Sequence, residues 1–300
     1  MTPVSSPSSS YSPWRSAIRH ILRRPGALAG IVILLVMTML ALLAPVIAPQ
    51  NPYDLSQLDI LDGRLLPGSQ SATGFTFWLG SDDQGRDMFS AILYGTRTSL
   101  WIGFISSFLA LVIGTSLGIF SAWQGGRIDA VIMRIVDIQL SFPPILIALI
   151  LLTLFGQGAE KIVLALVITQ WAYYTRAVRG NALVEMERNY VAAAKTLALS
   201  QPRIMFHHVL PNCLPSLTVV ATLRIAYAIM LEATLSFLGI GLPVTQPSLG
   251  LLIANGFDYL LSGDYWISLY PGMVLLLLII AINLLGDALR DITNPQREAR

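Results

Sequence analysis

Long uncharged stretches alternate with short polar ones along most of this chain. Ala27 to Ala48 contains no charged residue, and roughly 20 mostly apolar residues are what a helix needs to cross a hydrocarbon layer about 30 Å thick. Ser99 to Trp123 is a second such run, broken only by small and hydroxyl side chains that pack or back-bond inside a helix. A third span is expected within Ile135 to Phe155 and a fourth within Ile162 to Val178, where Gln170 to Arg176 is partly polar. Leu217 to Ile240 makes a fifth despite two charges, and Ile267 to Leu285 makes a sixth. The pattern predicts an all-α polytopic membrane protein with six transmembrane helices and both termini on one side of the bilayer.

Composition strengthens this reading. Of the 300 residues 54% are apolar and 12% charged, with a mean hydropathy of +0.66, whereas a soluble domain has about a quarter charged residues. The net charge is +2, and the basic residues are scattered, which points away from nucleic acid. Cys213 is the single cysteine, so an internal disulfide is excluded.

Orientation follows from Lys and Arg, which are enriched in short cytoplasmic loops. Arg15, Arg19, Arg23 and Arg24 precede the first helix, Arg127 and Arg134 flank the second connection, and Arg176, Arg179, Arg188, Lys195 and Arg203 surround the fourth. Arg290, Arg297 and Arg300 end the chain, while the other side holds only Arg64, Arg86, Arg97 and Lys161. Both termini are therefore expected in the cytoplasm. The expected organisation is a cytoplasmic tail (1–26), a first transmembrane helix (27–48), an external segment (49–98), a five-helix core (99–289) with a long cytoplasmic loop (179–215), and a cytoplasmic tail (290–300). A cleaved signal peptide is the competing reading of the start. Its apolar run exceeds the roughly 7 to 15 residues of a signal core, which favours an uncleaved anchor.

Catalytic patterns fail on simple grounds. A phosphate-cradling loop needs a lysine after glycine, but Lys161 and Lys195 follow Glu160 and Ala194. His20, His207 and His208 lack zinc-site spacing. Gly114-Thr115-Ser116-Leu117-Gly118 matches G-x-S-x-G inside an apolar run, where no strand precedes the serine. Gly114 and Gly118 read better as a small-residue face for close helix packing. No catalytic residue, metal site or cofactor is expected.

What remains is polar chemistry within the spans. Arg224 and Glu232 lie in the fifth apolar run, eight residues apart and so roughly on one side of a helix. They line a translocation path or lock helices together, and the sequence leaves both readings open. Arg134 and Asp137 suggest a local salt bridge, and Pro143 with Pro144 must interrupt the third helix. Arg179 to Pro215 is long for a mere connection and reads as helix, turn, helix: Tyr190 to Leu197 is alanine-rich with Asn189 as a cap, and Ser200 caps a second start with Pro202 in its first turn. A short helix held out by two spans is a natural docking knob.

The stretch Tyr190-Val-Ala-Ala-Ala-Lys-Thr-Leu-Ala-Leu-Ser200, followed by Val209-Leu-Pro-Asn212, resembles the E-A-A…G…I-x-L-P loop of bacterial ABC importer permeases. Trp78-Leu-Gly-Ser-Asp-Asp-Gln-Gly-Arg-Asp87 with Tyr94-Gly95, Leu235-Ser-Phe-Leu-Gly-Ile-Gly241, and Leu285-Gly-Asp-Ala-Leu-Arg-Asp291 with Asn294-Pro295 resemble the peptide/nickel subfamily, in particular the second of its two permease subunits. The resemblance implies a type I importer permease fold in the bacterial inner membrane and four kinds of partner: a homologous permease, two ATP-binding subunits, an external (periplasmic) solute-binding protein and the lipid bilayer. It implies that Tyr190, Ala193, Ala194, Lys195, Ala198 and Ser200 contact an ATPase, with peptides as the cargo. Ala192 replaces the family glutamate and Ala198 its glycine. If the glycine marks a positive φ, which alanine tolerates poorly, the turn is expected to be wider or shifted onto neighbouring residues. The rival classes are a secondary transporter or channel subunit not powered by ATP, an intramembrane protease, and a purely structural membrane subunit.

Overall fold

A computed structural model of the chain describes residues 24–71 and 74–293. Residues 1–23 of the expected cytoplasmic tail, with Arg15, Arg19 and Arg23, and Asn294, Pro295, Arg297 and Arg300 lie outside the described residues. Helix α1 (Pro25–Leu42) opens with proline in its first turn, where the missing N–H has no intrahelical partner to lose. A short α2 (Ala44–Ile47) follows. The segment up to residue 87 is irregular apart from two 3₁₀ turns and a two-stranded antiparallel hairpin, in which β1 (Ser69–Gln70) pairs with β2 (Thr76–Phe77) and Ser69 lies opposite Phe77.

The core begins at α3 (Met88–Gln124), whose 37 residues extend about 55 Å. Asp87 caps it by accepting from the Ser90 backbone N–H at 2.8 Å. Gly125 ends it at φ +61°, a conformation that costs glycine little. Then come α4 (Gly126–Ser141), α5 (Pro144–Phe155), α6 (Ala159–Met186), α7 (Asn189–Thr196) and the single turn α8 (Gln201–Arg203). A π-helical turn at Ile204–Val209 leads into α9 (Leu210–Phe237), and α10 (Leu249–Phe257) and α11 (Trp266–Thr293) complete the bundle. Of its four buried clusters, the three larger ones each take residues from α3 and α9. Arg24 at the start of α1 pairs with Asp291 at the end of α11, so the two ends of the described chain meet on one face.

Four helical stretches are long and apolar enough to cross a membrane: Pro25–Leu42, Met88–Gln124, Gln201–Phe237 and Trp266–Ile292. The expected third span is not one helix. Phe142 and Pro143 break it, and α4 and α5 meet at 89°, because two successive prolines supply no backbone N–H and the residue before proline avoids the helical region. Counting that pair as one gives five. The expected fourth span falls in α6, which is long enough at 28 residues but is less apolar than the others. Its Thr169, Gln170 and Thr175 are turned inward and buried. The expected helix–helix approach at Gly114 and Gly118 is present: a β-carbon on Gly114 would lie 2.5 Å from that of Tyr174, and one on Gly118 would lie 2.7 Å from the Thr175 carbonyl.

Candidate functional site

The segment Tyr190 to Ser200 projects between the end of α6 and the start of α9. Its two sides differ. Val191 and Ala194, three apart on α7, are buried against Val178, Ala182, Ile204 and Val209, while Ala192, Ala193, Lys195 and Thr196 are exposed. Tyr190 is half-buried; its hydroxyl donates to Glu185 Oε2 at 2.8 Å and accepts from Asn212 Nδ2 at 3.3 Å, joining α6, α7 and α9. Burial first, and the Glu185 carboxylate second, push the Tyr190 phenol up to about 12, so it stays protonated and remains a donor. The expected cap at Asn189 is not formed, since Asn189 is already the first helical residue and Arg188 precedes it. Ser200 does occupy the position before α8, with Pro202 in the first turn, but its hydroxyl makes no capping bond.

The end of α7 replaces an expectation. The turn is neither wider nor displaced: Ala198 itself takes φ +52°. Its N–H donates to the Lys195 carbonyl at 3.0 Å, and the Leu199 N–H donates to the Ala194 carbonyl at 3.2 Å. Those two bonds, with Leu199 packed into the cluster that contains Ala194, make a Schellman terminus, the motif in which the residue just past the helix is usually glycine. Of the six residues expected at the knob surface, Ala193, Lys195, Ala198 and Ser200 are exposed, Tyr190 is partly covered and Ala194 is buried. Leu197, 74% exposed at the tip, was not among the six. Spacing alone does not reveal it, since Leu197 stands three residues after Ala194; its exposure comes from its place one residue beyond the end of α7.

Arg224 and Glu232 are not brought together. Eight residues at 3.6 per turn leave about 80° between them, and they meet different neighbours. Glu232 is fully buried; it accepts from Ser99 Oγ of α3 and from Ser236 Oγ of its own helix, both at 2.8 Å. Ser248, which caps α10, also reaches it. Glycines let these elements approach: a β-carbon on Gly250 would lie 2.2 Å from the Ala233 carbonyl, and one on Gly241 2.4 Å from Ser236 Oγ. Glu232 is thus enclosed as a clasp between α3, α9 and α10.

Arg224 sits halfway along α9 and is only partly buried. Its guanidinium carbon lies 3.6 Å from the centre of the Tyr173 ring on α6 and 5.5 Å from that of Tyr227, a cation–π arrangement that partly offsets the cost of a charge at mid-span, about 2.5–3.5 kcal/mol on insertion scales. One turn further along α6, Arg176 pairs with Asp137 of α4, both about half exposed. That contact displaces the expected Arg134–Asp137 pair, because α6 brings a guanidinium to Asp137 from outside its own helix. Nearby, Arg179 holds Asp129 through two bonds of 2.5 Å.

On the opposite face, the Trp78 to Asp87 stretch is a structural knot. Arg86 is fully buried, donating to Asp82 Oδ2 at 2.6 Å and to the Val244 carbonyl at 3.0 Å. Gly85, at φ +75°, lies where a β-carbon would be 2.0 Å from the Asp59 carbonyl. Trp266 donates to the Ser81 carbonyl at 3.1 Å, tying the start of α11 to the knot. Burial, and then the neighbouring Asp82 charge, raise the Asp83 carboxyl above its ordinary value.

The described residues thus form a helical bundle with spans long enough to cross a membrane, a charge at mid-span and a projecting interhelical knob. Residues 114–298 match the family described as binding-protein-dependent transport system inner membrane component, and residues 12–67 match the N-terminal transmembrane domain of oligopeptide transport permease C. The chain belongs to this family of binding-protein-dependent permeases. It is 36% identical over 271 residues to the dipeptide transport system permease protein DppC of Haemophilus influenzae, covering 90% of each chain. It is also 36% identical over 296 residues to the di/tripeptide transport system permease protein DppC of Pseudomonas aeruginosa, covering 98% of this chain and 96% of that one. The fold is similar to that of an inward-facing methionine ABC transporter, MetNI, with a TM-score of 0.57 at 22% identity, over 69% of this chain and 98% of the other.

Proposed function

We propose that this chain is one of two homologous permeases of an ATP-driven importer that carries short peptides across the bacterial inner membrane. The relatives named for dipeptides and di/tripeptides, alike over nearly their full length, support the cargo class. In this reading the chain crosses the membrane six times, through α1, α3, the bent pair α4–α5, α6, α9 and α11. Both termini are cytoplasmic, which the Lys and Arg bias supports.

The observation that carries the reading is the two-sided knob. Val191 and Ala194 fasten its inner side into the bundle, and Ala193, Lys195, Leu197, Ala198 and Ser200 are left outward. A partner that pushes on such an element moves α6 and α9 with it. Two ATP-binding subunits would dock on the knobs of the two permeases, and a periplasmic binding protein would deliver peptide to the opposite face. ATP closure then biases the path between outward- and inward-facing states. The test is Leu197→Asp in cells expressing the whole system. Uptake and peptide-stimulated ATP hydrolysis are expected to fall at least tenfold while membrane insertion persists; retained uptake contradicts the docking role.

A further inference from the structure

Among the described residues, Arg224 lies halfway along α9 with no counter-ion. Among the described residues, no carboxylate lies within 4 Å of its guanidinium and no carbonyl or side-chain oxygen accepts from it. Tyr173 and Tyr227 lie against it through their ring faces. A cation–π contact takes up no hydrogen bond, so the N–H donors, in the fork that matches a carboxylate, remain available. The side chain is half-buried, hence restrained but reachable. An unpaired guanidinium facing lipid is unfavourable, so this position faces water or an anion. The Arg176–Asp137 pair one turn along α6, about half exposed, continues a polar track toward the face that carries the knob.

Resting on the peptide-importer reading above, we propose that Arg224, shelved on Tyr173 and Tyr227, binds the C-terminal carboxylate of a peptide in transit. Recognition is one-ended. Glu232, the only acidic side chain on α9, is enclosed by serines and fully buried, so it offers nothing to the amino terminus. The path therefore selects for a free carboxylate and tolerates variation at the amine. A fixed ion pair with an acidic residue of the second permease is the competing occupant. The reversible site is favoured because the aromatic shelf already holds the cation when no anion is present.

The complete transporter, reconstituted in liposomes with its binding protein, distinguishes the two. Uptake of a dipeptide and of the same dipeptide as its C-terminal amide is compared for wild type and Arg224→Gln. Because the binding protein is identical in both, its own preference cancels in the ratio of ratios. The expected result is that the acid-over-amide preference of wild type shrinks about tenfold in Arg224→Gln, mainly through slower acid uptake, with Arg224→Lys in between. A preference unchanged in Arg224→Gln overturns the proposal. So do equal losses for acid and amide accompanied by failure to co-purify the second permease, which assign Arg224 to the subunit interface. Failure of the importer reading itself shows separately, as wild type that takes up neither compound with ATP.

Discussion

Substitution of Ala198 by glycine reports directly on the terminus of the knob. Ala198 holds φ +52° at the position following the α7 cap, fixed there by the bonds from its own N–H to Lys195 and from Leu199 to Ala194. An L-residue in the left-handed region costs about 1–2 kcal/mol, and glycine removes that cost. Glycine also gives the unfolded segment more freedom, which returns roughly 0.5–1 kcal/mol. The net gain is about 0.5–1 kcal/mol, or a two- to fivefold change in a local opening equilibrium. Ala198 is exposed, so no packing is lost with its methyl group. Hydrogen exchange of the 197–199 amides in detergent or nanodiscs measures the opening. Ala198→Gly should slow exchange two- to fivefold, and Ala198→Val should speed it because a β-branched side chain tolerates this region worse. Unchanged or faster exchange in the glycine variant would refute the reasoning, since the strain would then not be present at Ala198.

Two further perturbations address the rest of the frame. The folded-state carboxyl of Asp83 is raised above its ordinary 3.8 by burial and by Asp82, so its folded form binds protons more tightly than the unfolded chain. Its share of stability is present below 3.8 and is lost as pH rises through the elevated value. Thermal melts from pH 3.5 to 7 should show Asp83→Asn losing less stability than wild type over that rise; parallel profiles would contradict the assignment. Gly250→Ala places a β-carbon 2.2 Å from the backbone carbonyl of Ala233, and backbone at that distance yields only by moving α10 off α9. A fall of several degrees in the detergent melting midpoint is expected, and an unaltered midpoint would show that α9 and α10 are not packed this closely.

Much of the bundle was legible from the sequence because a helix in lipid has to be long and apolar. The runs from Ser99 and Ile267 therefore fall inside α3 and α11, while those from Ala27 and Leu217 overlap α1 and α9 and run past their ends at Leu42 and Phe237. Pro143 and Pro144 announced an interruption, but not its 89° angle, which depends on α5 packing against α6 and α9 in a cluster that includes Ala148, Leu152, Leu166 and Leu231. Charges were matched less well to partners. Asp137 was matched to Arg134 by spacing, yet α6 supplies Arg176 from 39 positions away. The Trp78 to Asp87 motif was visible, but its role depends on the Val244 carbonyl 158 residues on. Arg224 and Glu232 were expected roughly on one side; the residual rotation per two turns separated them, a difference that matters only once α6 and α10 are in place. At Ala198 the departure from glycine was plain, while the strain it carries appears only in the backbone angle.

On the proposed function, this permease draws its energy from ATPases docked at the α7 knob. The most direct measurement is a pull-down of the tagged chain from mild detergent, with the co-purifying proteins identified by mass spectrometry and the preparation repeated for Leu197→Asp. The account expects a second permease and two P-loop ATPases with wild type, and with the variant the second permease but not the ATPases. A chain that purifies alone and passes solute in liposomes without ATP would contradict it.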